Sequence, residues 1–572
     1  MQAKKVKFLF KRIYKQSILF DVSEKILEFA RKIIYSSFFY KIFFHDIGGN
    51  NFFLKSFCYS ILNFLMKIIL FPKRFIYFIF DNSFTKQFLD KIFEPYVPKV
   101  LLSSLLFKFL SDFFGIKLKR SDNKSNLIFI SSLLIIFIAL SFFIGIKKSF
   151  LSVAGFFFVL LVLHNTKIGL FALAFLIPII KTKFILAIVL LTIFSFVLKL
   201  LLANDFSISF NLIDLFIIFF GTLIFYSVFI SYIPMDSFKV AAVYLLFIAF
   251  YFVAKNTINN KDDLFTIVSL MILSSATVAL IGILQKYFGL AIDTQMWIDE
   301  QMFENNTIRV YSTLDNPNVL GEYLLFMIPI TFGSIYYFKN KLCKFVSFAI
   351  LCLLCVCMLL TLSRGAWLGL IAAMVIFVVL RDKKFLWLGL VLFLFLPMLI
   401  PQSFIERFMS IGNMADTSTS YRVGIWIGSL RMIKDFWPIG IGLGTQVFIL
   451  IFQKYALSAS YALHSHNFYL QILIDLGIAG ALTMLLIIYL FYKNLFLNNK
   501  FLRDDFVKTF KISLCAGFSG YLIQGLADNI WYNYRIVLLF WFMIAISTAC
   551  FNLSKLGVWE KFKYFQHTTK FN

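Results

Sequence analysis

A chain of 572 residues that is 60% hydrophobic, 19% aromatic and only 15% charged has too little polar surface to enclose its apolar residues as a water-soluble globule. Its solvent is lipid, and a backbone in lipid must satisfy its own hydrogen bonds, so the expected fold class is an all-α polytopic membrane protein. The net charge of +26 reads as an address for anionic lipid headgroups, and no nucleic-acid partner is expected.

Residues 1–126 form a separate compositional unit that carries +13 of that charge. Their short apolar stretches are broken by lysine every few residues, as in Leu62–Phe80. This predicts amphipathic helices lying on an anionic inner leaflet. No cleavable signal peptide is expected, because the first strong apolar span begins only near residue 127.

From residue 127 to 553, apolar segments recur in a pattern that predicts about 12–14 transmembrane helices, Leu127–Ile146, Val346–Leu362 and Phe385–Ile400 among them. The segments at 150–163 and 168–180 are short, so a pair there is expected to be re-entrant or not to span independently. Cys352, Cys355 and Cys357 lie inside an apolar run and read as packing residues. Lysine and arginine concentrate in the turns at 255–263, 339–344, 381–384 and 493–511 and in the tail 554–572. The positive-inside rule places these in the cytoplasm. The connections at 233–238, 289–318, 402–465 and 528–533 then lie outside.

The longest of these, 402–465, is expected to be functional. Within it, Tyr421–Phe436 sets Val423, Trp426, Ile427, Leu430 and Ile433 at helical spacing. That predicts an amphipathic helix along the membrane surface, stopped by Trp437-Pro438. The glycine run 440–444 lacks the strand context and the Lys-Ser/Thr ending of a nucleotide loop and reads as tight turns.

Arginine on the cation-poor face is the informative exception. Arg309 precedes Asp315-Asn316-Pro317-Asn318, Arg364 lies in Ser363-Arg364-Gly365-Ala366-Trp367-Leu368-Gly369, and Arg422 opens the loop helix. Each alone could snorkel to lipid phosphate. Together they suggest an anion site, for which a planar guanidinium suits phosphate or pyrophosphate.

His464-Ser465-His466-Asn467 leads into the apolar helix Phe468–Tyr492. Ser465 is the expected N-cap, with His466 in the first turn, where the helix dipole disfavours protonation and leaves the imidazole able to accept a proton. A histidine there also serves as a mere hydrogen-bonding cap. Metal binding by His464 and His466 lacks a completing Cys, His or Glu set nearby in sequence. Among acidic residues assigned outside, Asp293, Asp299, Glu300, Glu304, Asp315, Asp416, Asp435 and Asp528, only Asp528, with Asn529, is expected to line the same cavity.

Over residues 305–550 these motifs and their order resemble the O-antigen ligase and O-antigen polymerase family of bacterial envelope glycan enzymes. The spacing of His466-Asn467 to Gly477 and Gly480 adds to the likeness. Asp475 stands where many relatives have Glu, and the basic N-terminal region lies outside the family core. The resemblance implies a GT-C-like architecture with one large extracytoplasmic loop in the bacterial cytoplasmic membrane. It also implies transfer of a glycan from an undecaprenyl-diphosphate carrier to an acceptor hydroxyl of a glycan, lipid or protein, without metal, nucleotide or other cofactor. Arg364 and Arg422 would hold the diphosphate and His466 would activate the acceptor, with Arg309, Asn318, Asn467 and Asp528 binding substrate. Envelope glycan assembly proteins are expected partners. Two other classes stay open on the residues: an anion transporter of the bicarbonate kind, and a non-catalytic scaffold.

Overall fold

The computed structural model describes residues 146–202, 208–289, 309–383, 405, 408–409, 417–456, 462–496 and 504–568. The basic region 1–126, the stretch 127–145, the span expected at 385–400 and the acids Asp293, Asp299, Glu300, Glu304 and Asp416 lie outside these residues.

The described residues are helical, without strands. In chain order they form α1 (Ile146–His164), α2 (Thr166–Leu176), α3 (Thr182–Leu202), α4 (Leu212–Ile230), α5 (Pro234–Thr257), α6 (Lys261–Phe288) and α7 (Pro317–Tyr337). There follow α8 (Lys341–Leu360), α9 (Arg364–Arg381), α10 (Thr417–Phe436), α11 (Thr445–Phe452), α12 (Phe468–Phe496), α13 (Asp505–Gln524) and α14 (Tyr534–Thr568). Nine of these helices are long and apolar enough to cross a membrane: α3 to α9, α12 and α14. The chain is thus an all-α polytopic membrane protein. The α1 and α2 helices meet at Asn165, whose side chain caps α2. At 11 residues α2 covers only about 16 Å, about half the hydrocarbon thickness. The last helix continues through Thr568, so it includes most of the stretch that the sequence set apart as a tail.

Helix boundaries follow local chemistry. Pro234 and Pro317 occupy first turns, where a missing N–H costs nothing, and the Asn316 side chain accepts from Asn318 N–H at 2.8 Å. Asn260 and Asn340 cap α6 and α8 in the same way. The long helices therefore alternate in direction, and their connections gather at two ends. At one end, Lys261 pairs with Asp504, and Phe265 packs on Phe338 and Phe506 with ring centroids 5.7 and 5.2 Å apart. At the other, Arg309 donates to the Thr361 carbonyl at 3.0 Å and Phe468 N–H to the Gly525 carbonyl at 2.8 Å. The lysine-rich and cation-poor connections of the sequence thus separate onto opposite ends.

The central helices are α7, α13 and α14. The α13 helix can lie between α7 and α9 because Gly369 and Gly520 face each other: a Cβ on Gly369 would sit 2.6 Å from the Gly520 carbonyl oxygen. Small residues at such seams are how membrane helices gain close packing without a hydrophobic driving force. Not all buried polar groups belong to the cation-poor end. Lys255 and Asp214, both with fully buried side chains, pair near the opposite end. Tyr251 donates to Asp214 at 2.6 Å and Lys255 to the Ser209 carbonyl at 2.6 Å. Every charge there is met, so the group acts as a lock between α4 and α5; a lone charge would be costly in lipid.

Over the cation-poor end lies the loop helix α10, stopped before Trp437-Pro438 as expected. Its buried stripe is Ile425, Gly428, Ser429 and Met432, packed with Phe448 and Phe452 of α11. Ile427 and Leu430 stay exposed, as a face laid along a membrane surface would, while Ile425 and Met432 on another side join α11 in a small core of the loop's own. The glycine run provides the tight turns expected of it, and more. Gly440 and Gly442 have φ of +86° and +92°, and their neighbourhood admits no side chain: a Cβ on Gly440 would lie 2.5 Å from the Asp475 carbonyl oxygen. Ile441 and Gly442 N–H groups bond the Ile474 and Asp475 carbonyls at 2.9 and 3.1 Å. Those carbonyls are free to accept because α12 breaks at Gly477 (φ 66°, ψ −167°). The break in the helix and the glycine run are two halves of one docking joint, and it holds the loop against the end of α12 that carries His466.

Candidate active site at one end of the helix bundle

The segment entering α12 differs from the sequence expectation by one cap. Asn467, not Ser465, is the N-cap: its side-chain oxygen accepts from the N–H groups of Tyr469 and Leu470, each at 3.0 Å. Its amide also donates to the Leu526 carbonyl at 2.9 Å, tying α12 to the loop between α13 and α14. Ser465 instead donates to the Asn467 carbonyl at 2.8 Å. His466 therefore precedes the helix, with φ +48°, and the dipole argument for its first turn does not apply. Such a conformation costs a non-glycine residue on the order of 1–3 kcal/mol and persists only where neighbours impose it. Trp426 of α10 is one of them, donating its indole N–H to the His466 carbonyl at 3.1 Å.

That backbone points the imidazole at Asp528. His466 Nδ1 lies 3.0 Å from Asp528 Oδ1. The other carboxylate oxygen, Oδ2, accepts from Asn318 Nδ2 at 2.8 Å and lies 3.6 Å from an Arg422 guanidinium nitrogen, within ion-pair range. Asn318 is itself held by Arg309, whose Nη2 donates to its Oδ1 at 2.9 Å. Burial by itself would raise the Asp528 pKa. The His466 hydrogen bond, then the Arg422 charge and the two histidines, overcome it and hold the carboxyl well below the usual carboxylate range. An ionised carboxylate only accepts, so His466 donates from Nδ1, and Nε2 is the ring nitrogen left for another partner.

His464 stands beside this pair, with ring centroids 4.2 Å from His466 and 4.7 Å from Tyr532. Burial, and next the charge of His466, lower its pKa from 6.5 to about 3. A group whose folded-state pKa lies below its unfolded value destabilises the fold as pH falls below the unfolded value. Between pH 6.5 and 5 the wild-type protein should therefore lose stability at up to about 1.4 kcal/mol per pH unit from this group alone. Thermal unfolding of purified protein across that range should show a smaller loss for His464→Gln than for wild type.

The residues singled out from sequence thus fall into four groups. Arg309, Asn318, Arg422, His466 and Asp528 form one connected network, spanning α7, α10 and three loops. Asn467 is tied up as a cap. Arg364 opens α9 at the edge of the network: its neighbour Gly365 packs against Gln524 and Ala527, at the approach to Asp528. Asp315 serves elsewhere, accepting from Arg535 at 2.7 Å, while Asp435 accepts from Tyr455 at 2.5 Å. No Cys, His or Glu close in sequence completes a ligand set around His464 and His466, but the fold brings an aspartate to them. Asp528 joins them with ligand atoms all within 4.8 Å, a juxtaposition across 62 positions that local spacing does not reveal. The Arg422 cation beside the same carboxylate opposes a dication there.

A cavity of about 310 Å³ opens beside the network, lined by Asn316, Asn318, Glu322, Tyr421, His466 and Asp528 among others. That is within the size range of small-ligand sites, roughly 300–1,000 Å³. Glu322 was missed in the sequence although a signal was present: it is the only charged residue in α7, Pro317–Tyr337, and an ionisable residue in an apolar span marks function by default.

The chain is thus a multi-pass helical protein with a histidine oriented by a carboxylate, and an arginine beside the same carboxylate, at one end of the bundle. Residues 347–485, from α8 into α12, match the family model described as O-antigen ligase, which supports the O-antigen ligase and polymerase family and an enzyme of that glycan-transferring type. The matched stretch contains Arg364, Arg422, His464, His466 and Asn467, whereas Arg309, Asn318, Glu322 and Asp528 come from flanking sequence. No curated protein matches the chain.

Proposed function

We propose that the protein transfers a glycan from an undecaprenyl-diphosphate carrier to an acceptor hydroxyl at the external face of the bacterial cytoplasmic membrane, without a metal. The observation that carries this reading is Asp528 bridging His466 Nδ1 and Arg422, which leaves Nε2 as the base and sets a fixed cation beside it. His466 Nε2 takes the proton of the acceptor hydroxyl as its oxygen attacks the anomeric carbon. The bond from that carbon to the diphosphate oxygen breaks, and the electron pair leaves with the lipid diphosphate. Arg422 and Arg364 stabilise the negative charge that develops there. The proton on His466 then passes to solvent or to the released diphosphate. In this reading Arg309 and Asn318 act through Asp528: they hold the carboxylate that orients the base.

The test is transfer by purified protein in lipid vesicles, using lipid-linked glycan extracted from the cell's own membranes. Arg364→Ala and Arg422→Ala should each lower transfer on the order of 10²- to 10³-fold, as loss of one transition-state charge contact does elsewhere. Wild-type transfer should continue in excess EDTA. Full activity in both arginine variants, or abolition by EDTA with recovery on adding a divalent cation, would contradict the proposal.

A further inference from the structure

The turn that carries His466 is gripped on both sides by one residue. Gln471 lies in the first turn of α12 and is buried, as is Ser465. Its side-chain oxygen accepts the Ser465 N–H at 2.8 Å, and its backbone N–H donates to the Asn467 carbonyl at 2.9 Å. The two bonds close around His466, whose φ of +48° persists only while its neighbours are fixed.

The Gln471 amide serves only one way round. A backbone N–H needs an acceptor, so the amide oxygen faces Ser465 and the nitrogen faces away. That nitrogen meets Asp475, one helical turn further on, and donates to its Oδ1 at 2.8 Å. A carboxyl oxygen accepts this bond whether the group is ionised or neutral, and a flipped amide would set oxygen against oxygen. Asp475 is tied to the loop joint as well, its backbone carbonyl taking the Gly442 N–H at 3.1 Å. The rest of α12 does not align this stretch through its backbone ladder. After the break at Gly477, Ile478 N–H bonds the Trp437 carbonyl of the loop at 2.8 Å, not the Ile474 carbonyl. The contacts of residues 468–476 with the turn and the loop therefore set where His466 stands. Neither Gln471 nor Asp475 lines the cavity that His466 faces, so any effect they have on chemistry passes through the backbone.

Resting on the transfer reading above, we propose that Gln471, oriented by Asp475, is a positioning residue that fixes the Ser465–Asn467 turn and so keeps His466 Nε2 aligned on the acceptor hydroxyl. The test uses full-length protein in lipid vesicles and the transfer assay already described. Gln471→Met keeps the length of the side chain but offers Ser465 no acceptor. It should lower kcat roughly 10- to 100-fold, the cost of a misplaced reacting group, with both KM values within about twofold of wild type. Asp475→Asn keeps a carbonyl oxygen for the Gln471 amide and should stay within about threefold of wild type, whereas Asp475→Leu should lose as much as Gln471→Met. In the His466→Ala background, whose residual transfer does not use the base, Gln471→Met should cost no more than about twofold further.

An unchanged kcat in Gln471→Met would overturn the proposal. So would a loss carried mainly by KM, or the same loss repeated in the His466→Ala background, which is what mere support of the fold predicts. Hydrogen exchange reads the turn without relying on transfer. The backbone amides of residues 464–467 should exchange about fivefold faster or more in Gln471→Met than in wild type, as expected for one lost hydrogen bond. If they do so and wild-type protein transfers nothing, the hold on the turn stands and the transfer reading fails. Unchanged exchange overturns the positioning role whatever the activity.

Discussion

Replacing His466 with Ala should leave the protein folded in the membrane and lower glycan transfer by on the order of 10²- to 10⁴-fold, the usual contribution of a positioned general base. The fold should survive because His466 lies outside the helix and its side chain is about one-quarter exposed, at 23%. Asp528 also keeps Asn318 and Arg422 as partners when the imidazole is gone. Added imidazole provides a sharper test than the loss itself. If Nε2 acts as a base, free imidazole diffusing into the vacated space should restore part of the activity. If His466 only holds the loop in place, it should not.

The second large effect is expected at Asp528. Asp528→Asn changes little in size, but it removes the charge that makes His466 Nδ1 the donor. An amide can present N–H to the imidazole, favouring the tautomer with its proton on Nε2, where it is useless as a base. Transfer should fall on the order of 10²- to 10⁴-fold, close to the His466 loss. The double variant should be scarcely worse than either single one, because the two residues work as a unit. The sign of the pH effect is also set. The Asp528 pKa lies below its unfolded value, so its stabilising contribution is complete above about pH 4 and is lost only as pH falls further. The stability gap between wild type and Asp528→Asn should therefore not narrow as pH falls from 8 to 5, because protonation of a neighbouring histidine in that range favours the carboxylate over the amide. A gap that closes within that range would contradict the ionised state on which the tautomer argument rests.

Much of this arrangement was legible in the sequence because membrane solvent imposes strong rules. Hydropathy marked the long spans, and the lysine-rich turns sorted connections onto two ends. The helix over Tyr421–Phe436 followed from its spacing and from the stop at Trp437-Pro438. What was not legible depends on contacts between distant elements. Asn467 and Ser465 are equally good caps on paper; the Leu526 carbonyl and the bend at His466 decide between them. The buried face of α10 is chosen by α11, a partner whose position cannot be read from periodicity. Asp528 was expected to line the cavity, but its bridging of His466 and Arg422 depends on the loop after α13 folding against α12. Glu322 was passed over for a different reason: in a hydropathy reading, one carboxyl inside a convincing span is averaged away, although a lone charge is what deserves an explanation there.

The most direct measurement is product formation by purified protein in metal-free lipid vesicles supplied with lipid-linked glycan and acceptor glycan, wild type beside His466→Ala, with anion uptake followed in parallel. Glycan transfer through a histidine base should give a longer or newly linked glycan together with released undecaprenyl diphosphate from wild type, neither from His466→Ala, and no uptake above empty vesicles. Equal product from both proteins, or anion uptake that is lost with Arg364→Ala, would contradict it.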